Sequence, residues 1–352
     1  MKRLYTLDIF RIICAIVVFM FHAHISVDIY TNFGIFNNFI SYGHIFMTAF
    51  FMLSGFGLYY SNYEKNIANR LIGGGIAKFY IKRLAGIYPL YFFSALTYIF
   101  FFNKLSIIQN LVLIPLEVTL LQSIYQGSFY VSHFGGTWFI SNIFICYLLF
   151  PFLKTFPENN SKKENIFLLV FIWLFLSYSF ILIYFFNFAA IYTNPIIRFL
   201  EFFSGMIIAD LFEKNKSKDI QKRIKVLIPI IGIFFITTIS VVIHFKTVPL
   251  DCFTIIAIPI FGTALYLCAR IETQYSYTKY KKLISVLSEN SYAFFLAQFF
   301  TWDFVKKINN NYLHLNNALL FIFCLVWCSA ITLCMHYCIE RPCKKLILRL
   351  VK

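Results

Sequence analysis

Asp8, Arg11 and His22 stand alone as ionisable residues in an apolar stretch, LDIFRIICAIVVFMFH. A guanidinium can hold an anion such as phosphate, and an imidazole with an ordinary pKa near 6.5 can accept a proton at physiological pH. The step from Arg11 to His22 turns an α-helix by about 1100°, roughly 20° beyond three full turns. Both side chains then share one face, about 16 Å apart along the axis. One extended molecule can touch both. The alternative reading is an Asp8 to Arg11 pair anchoring the helix end, with a histidine bonded to neighbouring backbone.

Other polar residues in apolar surroundings carry similar alternatives. Arg198 and Glu201 are three apart, the spacing of an ion pair within one helix. Lys78, Lys82 and Arg83 precede Gly86, Tyr88 and Pro89; they suit either a cytoplasmic anion site or the basic flank of a span. Pro89 kinks or starts a helix in either case. Ser54, in LSGF, can in principle take a group covalently, but Ser-Gly in a membrane helix reads first as close packing. Trp138 and Tyr88 suit aromatic anchoring as well as a site. His44 and His133 fall where an outer mouth is expected, as assistants to His22 or as hydrogen-bonded structural residues, and Glu340, before Arg341 and Pro342, is expected to cap or pair at the inner end.

The elements that must position these residues follow from composition. Of 352 residues, 60% are hydrophobic and only 13% charged, more apolar surface than a water-soluble fold can hide. Ten apolar runs read as spans, at 8–28, 40–60, 84–102, 136–153, 166–187, 193–212, 226–245, 249–269, 288–305 and 317–339. The class is therefore all-α, a polytopic integral membrane protein forming one domain over 1–352. The net charge of +16 is scattered between the runs and forms no stripe suited to nucleic acid. With the N-terminus inside, all but six of the 31 basic residues fall on the cytoplasmic side. Lys104, Lys246, Lys306 and Lys307 lie outside, and Arg11 and Arg198 lie within spans. That bias puts both termini in the cytoplasm of a multi-pass protein of the cell inner or plasma membrane. Segment 105–123 is long enough to cross but holds Gln109, Asn110, Pro115, Glu117 and Gln122. A crossing there would move every later loop to the other side, so a re-entrant or interfacial segment on the outer side is expected. The nine cysteines show no CxxC pair and no metal-ligand spacing, which points to free thiols and no metal site.

The R-x10-H spacing in the first helix resembles the signature of the acyltransferase-3 family of membrane acyltransferases, many of which acetylate cell-surface glycans. Similar matches follow in order: FFMLSGFGLY (50–59), FYIKRLAGIYPLY (79–91), WFISNIFICYLLFP (138–151), RFLEFFSGM (198–206), SENSYAFFLAQ (288–298) and IERP (339–342). The resemblance implies an O-acetyltransferase that takes acetyl-CoA or another acyl-CoA from the cytoplasm as donor substrate, with no permanently bound cofactor. The acceptor it implies is a hydroxyl of a surface polysaccharide or a lipid-linked glycan precursor. It makes His22 the general base and Arg11, Lys82 and Arg83 the acyl-CoA-binding residues. Arg198, Glu201, Trp138 and Tyr88 become supporting or acceptor-side residues. Two departures matter: Gly86 stands where many relatives have a second arginine, and the ninth-span motif ends in Ala297-Gln298 where many carry a histidine, so no proton-transfer role carries over there. A membrane transporter or glycan exporter is the competing class, since charges within a bilayer also line permeation paths, and a non-catalytic sensor or scaffold is a third.

Overall fold

The computed structural model describes residues 3–30, 34–63, 75–103, 105–125, 132–133, 136–178, 191–216, 254–274 and 280–350. Every regular element among them is helical. In chain order they are α1 (Tyr5–Val27), α2 (Gly34–Ser41), α3 (Phe46–Asn62), α4 (Gly75–Phe101), α5 (Ile107–Val118), α6 (Thr137–Leu153), α7 (Thr155–Asn159) and α8 (Lys162–Ser177). They continue with α9 (Pro195–Lys214), α10 (Thr254–Gln274), α11 (Lys281–Glu289), α12 (Ser291–Ile308), α13 (Asn317–Met335) and α14 (Arg341–Arg349). Helices thus stand within nine of the ten expected spans; the run 226–245, the end of 166–187 and the start of 249–269 lie outside the described residues. The helical stretches Tyr5–Val27, Gly75–Phe101, Thr137–Asn159 and Asn317–Arg349 are each long and apolar enough to cross a bilayer.

Apolar side chains cover the outside as well as the core. Phe167 and Phe171 on α8, and Ile13 and Ile16 on α1, are exposed, as expected of helices whose solvent is lipid. Inside, α3 and α9 meet backbone to backbone. A Cβ on Gly55 would overlap the Phe202 carbonyl, and one on Gly205 would overlap that of Met52. Close approach through small residues is how apolar helices associate where lipid removes the hydrophobic drive, so the LSGF motif serves packing.

Two apolar clusters divide the interior. One gathers α3, α6, α9 and α10 around Met52, Phe56 and Phe202; the other gathers α12 and α13 around Leu296, Trp302 and Cys324. Helix α1 joins both, placing Leu7, Cys14 and Val18 in the first and Phe19, Ala23 and Val27 in the second. Its first turn has no side-chain cap of its own at Leu4. Instead Glu272 of α10 accepts the Thr6 amide hydrogen at 3.0 Å, and the Thr6 hydroxyl donates to the Cys268 carbonyl at 2.6 Å. An orphan donor of the helix end is thereby satisfied from a neighbouring helix.

Segment 105–123 forms α5, opened by a capping box of Ser106 and Gln109. Its 12 residues reach about 18 Å at 1.5 Å per residue, too short for a hydrocarbon core of about 30 Å. Leu113 and Glu117 face the protein while Ile107, Ile108 and Leu111 are exposed.

Candidate functional site

Arg11 and His22 point inward. Ile13 and Ile16, which are 48% and 46% exposed, lie on the opposite face of α1, as the 100° step per residue requires. The two inward residues meet the same partner segment, the one that carries SENSYAFFLAQ. Arg11 Nη1 donates to the Ser288 hydroxyl at 3.1 Å, and His22 Nδ1 lies 2.7 Å from Gln298 Oε1. Residue numbers rise together on the two sides, so α1 and the α11–α12 unit run parallel. One helix face therefore answers one neighbouring face from Arg11 to His22.

At the Arg11 end, Asp8 is buried and shared. Arg3 Nε reaches its Oδ2 at 2.6 Å and the Ser288 hydroxyl donates to Oδ1 at 2.6 Å, while Arg11 Nη1 stays 3.6 Å away. Arg3 also pairs with Glu289 at 2.7 Å. With Asp8 so occupied, Arg11 remains 34% exposed and keeps guanidinium hydrogens for another anion. On α4, Arg83 stacks over Phe79 and over Tyr147, at 5.6 and 5.9 Å from the ring centres, and its buried Nε has no hydrogen-bond partner. Tyr147 interacts electrostatically with both Arg83 and Arg11. Lys78 and Lys82 are exposed on the same helix. A Cβ at Gly86 would meet nothing within 4 Å, so the departure from the family pattern leaves open space where a further cation would stand.

At the other end, His22 is half-buried and walled by aromatic rings. Phe299 and Phe295 lie 5.8 and 6.5 Å from the imidazole, centre to centre. Phe299 is seated against Gly136, which has φ +82° and whose Cβ, if present, would strike the Phe299 ring. Glycine is required there both for the left-handed backbone and for the ring.

Arg198, Glu201 and Trp138 come together, but as a closed unit. Arg198 donates from Nη1 to both Glu201 oxygens at 2.9 and 2.7 Å and from Nε to the Tyr192 carbonyl at 2.7 Å. Thr48 bridges the pair, donating to Glu201 Oε1 at 2.8 Å. The guanidinium is stacked among Tyr192, Trp138 and Phe51. Helix α9 holds this arrangement through Asn194 as N-cap and Pro195 in its first turn.

The remaining sequence candidates fall elsewhere. Tyr88 donates to the Val118 carbonyl at 3.2 Å and Tyr91 to that of Glu117 at 2.8 Å, so both tie α5 to α4. His133 is buried with both ring nitrogens engaged, Nδ1 at 2.7 Å from Glu117 and Nε2 at 2.6 Å from Asn110. Burial pushes the Glu117 carboxyl above the usual range, and the charge and hydrogen bonds of His133 act against that. His44 accepts from Tyr192 at its carbonyl, and its ring packs against Phe21. Glu340 pairs with His336 at 2.8 Å in a π-helical turn at the end of α13.

Ser288, Gln298, Tyr147 and Glu272 escaped sequence reasoning as site residues. Ser288 and Gln298 stand ten apart, a step that turns a continuous helix about 80° short of three full turns, so their spacing does not announce a shared face. Nothing in the sequence says which face of that segment turns toward α1.

A bundle of apolar helices with a cation and an imidazole on one inward stripe defines a helical membrane protein with an internal polar site. The chain belongs to the acyltransferase-3 family: the family model of that acyltransferase domain matches residues 4–337. It is a membrane acyltransferase, working between an acyl donor and an acceptor. No curated relative and no solved structure matches the chain.

Proposed function

We propose that the protein is an O-acetyltransferase of the cell membrane that takes acetyl-CoA from the cytoplasm and acetylates a hydroxyl of a surface polysaccharide or of its lipid-linked precursor. In this reading the chain crosses the bilayer ten times with both termini inside, and α5 packs on the outer side. Arg11, Arg83 and Lys82 bind the phosphates of the donor, and the pantetheine arm extends toward His22. His22 takes the proton of the acceptor hydroxyl as its oxygen attacks the thioester carbonyl. The carbon–sulfur bond breaks, the new ester forms, and the proton leaves with CoA as its thiol. Assistance of this kind contributes about 10² to 10⁴ in rate.

The observation that carries this reading is the shared partner face. Arg11 and His22 point away from the lipid side of α1 and meet Ser288 and Gln298 on one parallel neighbour. His22→Ala is expected to remove acylation while the protein still inserts and folds, because little packing is lost. Mass spectrometry of the surface glycan checks it, and an acylated glycan in cells that carry only the variant would take His22 out of the mechanism.

A further inference from the structure

We infer that Gln298 is a positioning residue for His22, setting which ring nitrogen can accept a proton. The inference rests on the reading of His22 as general base and adds a residue that the family pattern does not supply. Gln298 is 1% exposed and presents its amide oxygen 2.7 Å from His22 Nδ1. An amide oxygen only accepts hydrogen bonds. Nδ1 therefore carries the hydrogen, and the lone pair is left on Nε2, the nitrogen a substrate hydroxyl must reach. The partner of a histidine's far nitrogen is what selects its tautomer and fixes its ring orientation.

The surroundings leave this task to Gln298. Phe295 and Phe299, from the turns of α12 on either side of it, give the ring apolar walls. Within α1, Phe21 packs beside the ring, and His44 in turn packs against Phe21. Farther out, Lys306 pairs with Asp28 at 3.6 Å and Asp303 is exposed. Among the described residues no carboxylate or cation bonds to the imidazole. A neutral amide thus orients the ring without the charge that a carboxylate would place on it. A carboxylate there would hold a proton on the ring and raise its basicity.

The test uses full-length protein in membranes, with acyl transfer measured against acyl-CoA concentration and pH. Gln298→Leu is expected to lower kcat about tenfold or more, as lost orientation does, with KM for acyl-CoA unchanged. Gln298→Glu is expected to recover most of that rate and to move the acidic limb of the kcat/KM profile up by about one pH unit. A wild-type kcat in Gln298→Leu, or an unmoved acidic limb in Gln298→Glu, overturns the inference. Should Gln298→Leu fail to fold, the profile of Gln298→Glu decides alone. His22→Ala, assayed alongside, separates the two levels: an active His22→Ala defeats the general-base reading itself, whereas a dead one beside an unaffected Gln298 pair defeats only the role of Gln298.

Discussion

Two arginines in this molecule have a carboxylate three residues away on the same helix, and they end in opposite states. Arg198 and Glu201 close on each other at 2.7 Å and are 2% and 0% exposed at the side chain. Arg11 stands 3.6 Å from Asp8 with a third of its side chain accessible. The difference lies in competition for the carboxylate. Glu201 has Arg198 as its cationic partner, with Thr48 completing the contact, whereas Asp8 is already claimed by Arg3 and Ser288. A buried pair whose charges meet supports the fold, while a cation whose natural partner is occupied is available to a ligand.

Breaking the closed pair should have the largest effect. Glu201→Ala leaves a buried guanidinium without its counter-charge, which costs about 3–5 kcal/mol. Loss of folded protein on detergent extraction, measured as a lower Tm, checks this; a variant as stable as the parent would show that Arg198 finds water. Arg11→Ala tests the open side. Charged hydrogen bonds are worth about 1.5–3 kcal/mol, so acyl-CoA affinity should fall about tenfold to a hundredfold with Tm nearly unchanged. Direct binding measurements check this, and unchanged affinity would remove Arg11 from the donor site.

A gentler substitution turns one region into the other. Ser288→Ala removes the hydroxyl that holds Asp8 and receives Arg11, freeing Asp8 to close on Arg11 as Glu201 closes on Arg198. A neutral bond of about 0.5–1.5 kcal/mol is at stake, so the apparent affinity for acyl-CoA should drop about severalfold while kcat holds. If affinity rises instead, Ser288 was competing with the donor for Arg11.

Much of the architecture was legible from one dimension. Long apolar runs can satisfy their backbone only as helices in lipid, and the eleven-residue step from Arg11 to His22 can put them only on one face. The polar content and Pro115 of segment 105–123 likewise argued against a crossing, and the helix found there, α5, has 12 residues. What one dimension could not convey is which polar residues would be consumed by partners far along the chain. Arg198 and Arg11 look alike in sequence because spacing reports only local neighbours. Residue 288 settles the state of Arg11, residue 298 faces His22, and Glu272 caps α1 from another helix, contacts that exist only once the helices pack. Helical periodicity fixes directions about one axis, and only tertiary packing decides what each direction meets.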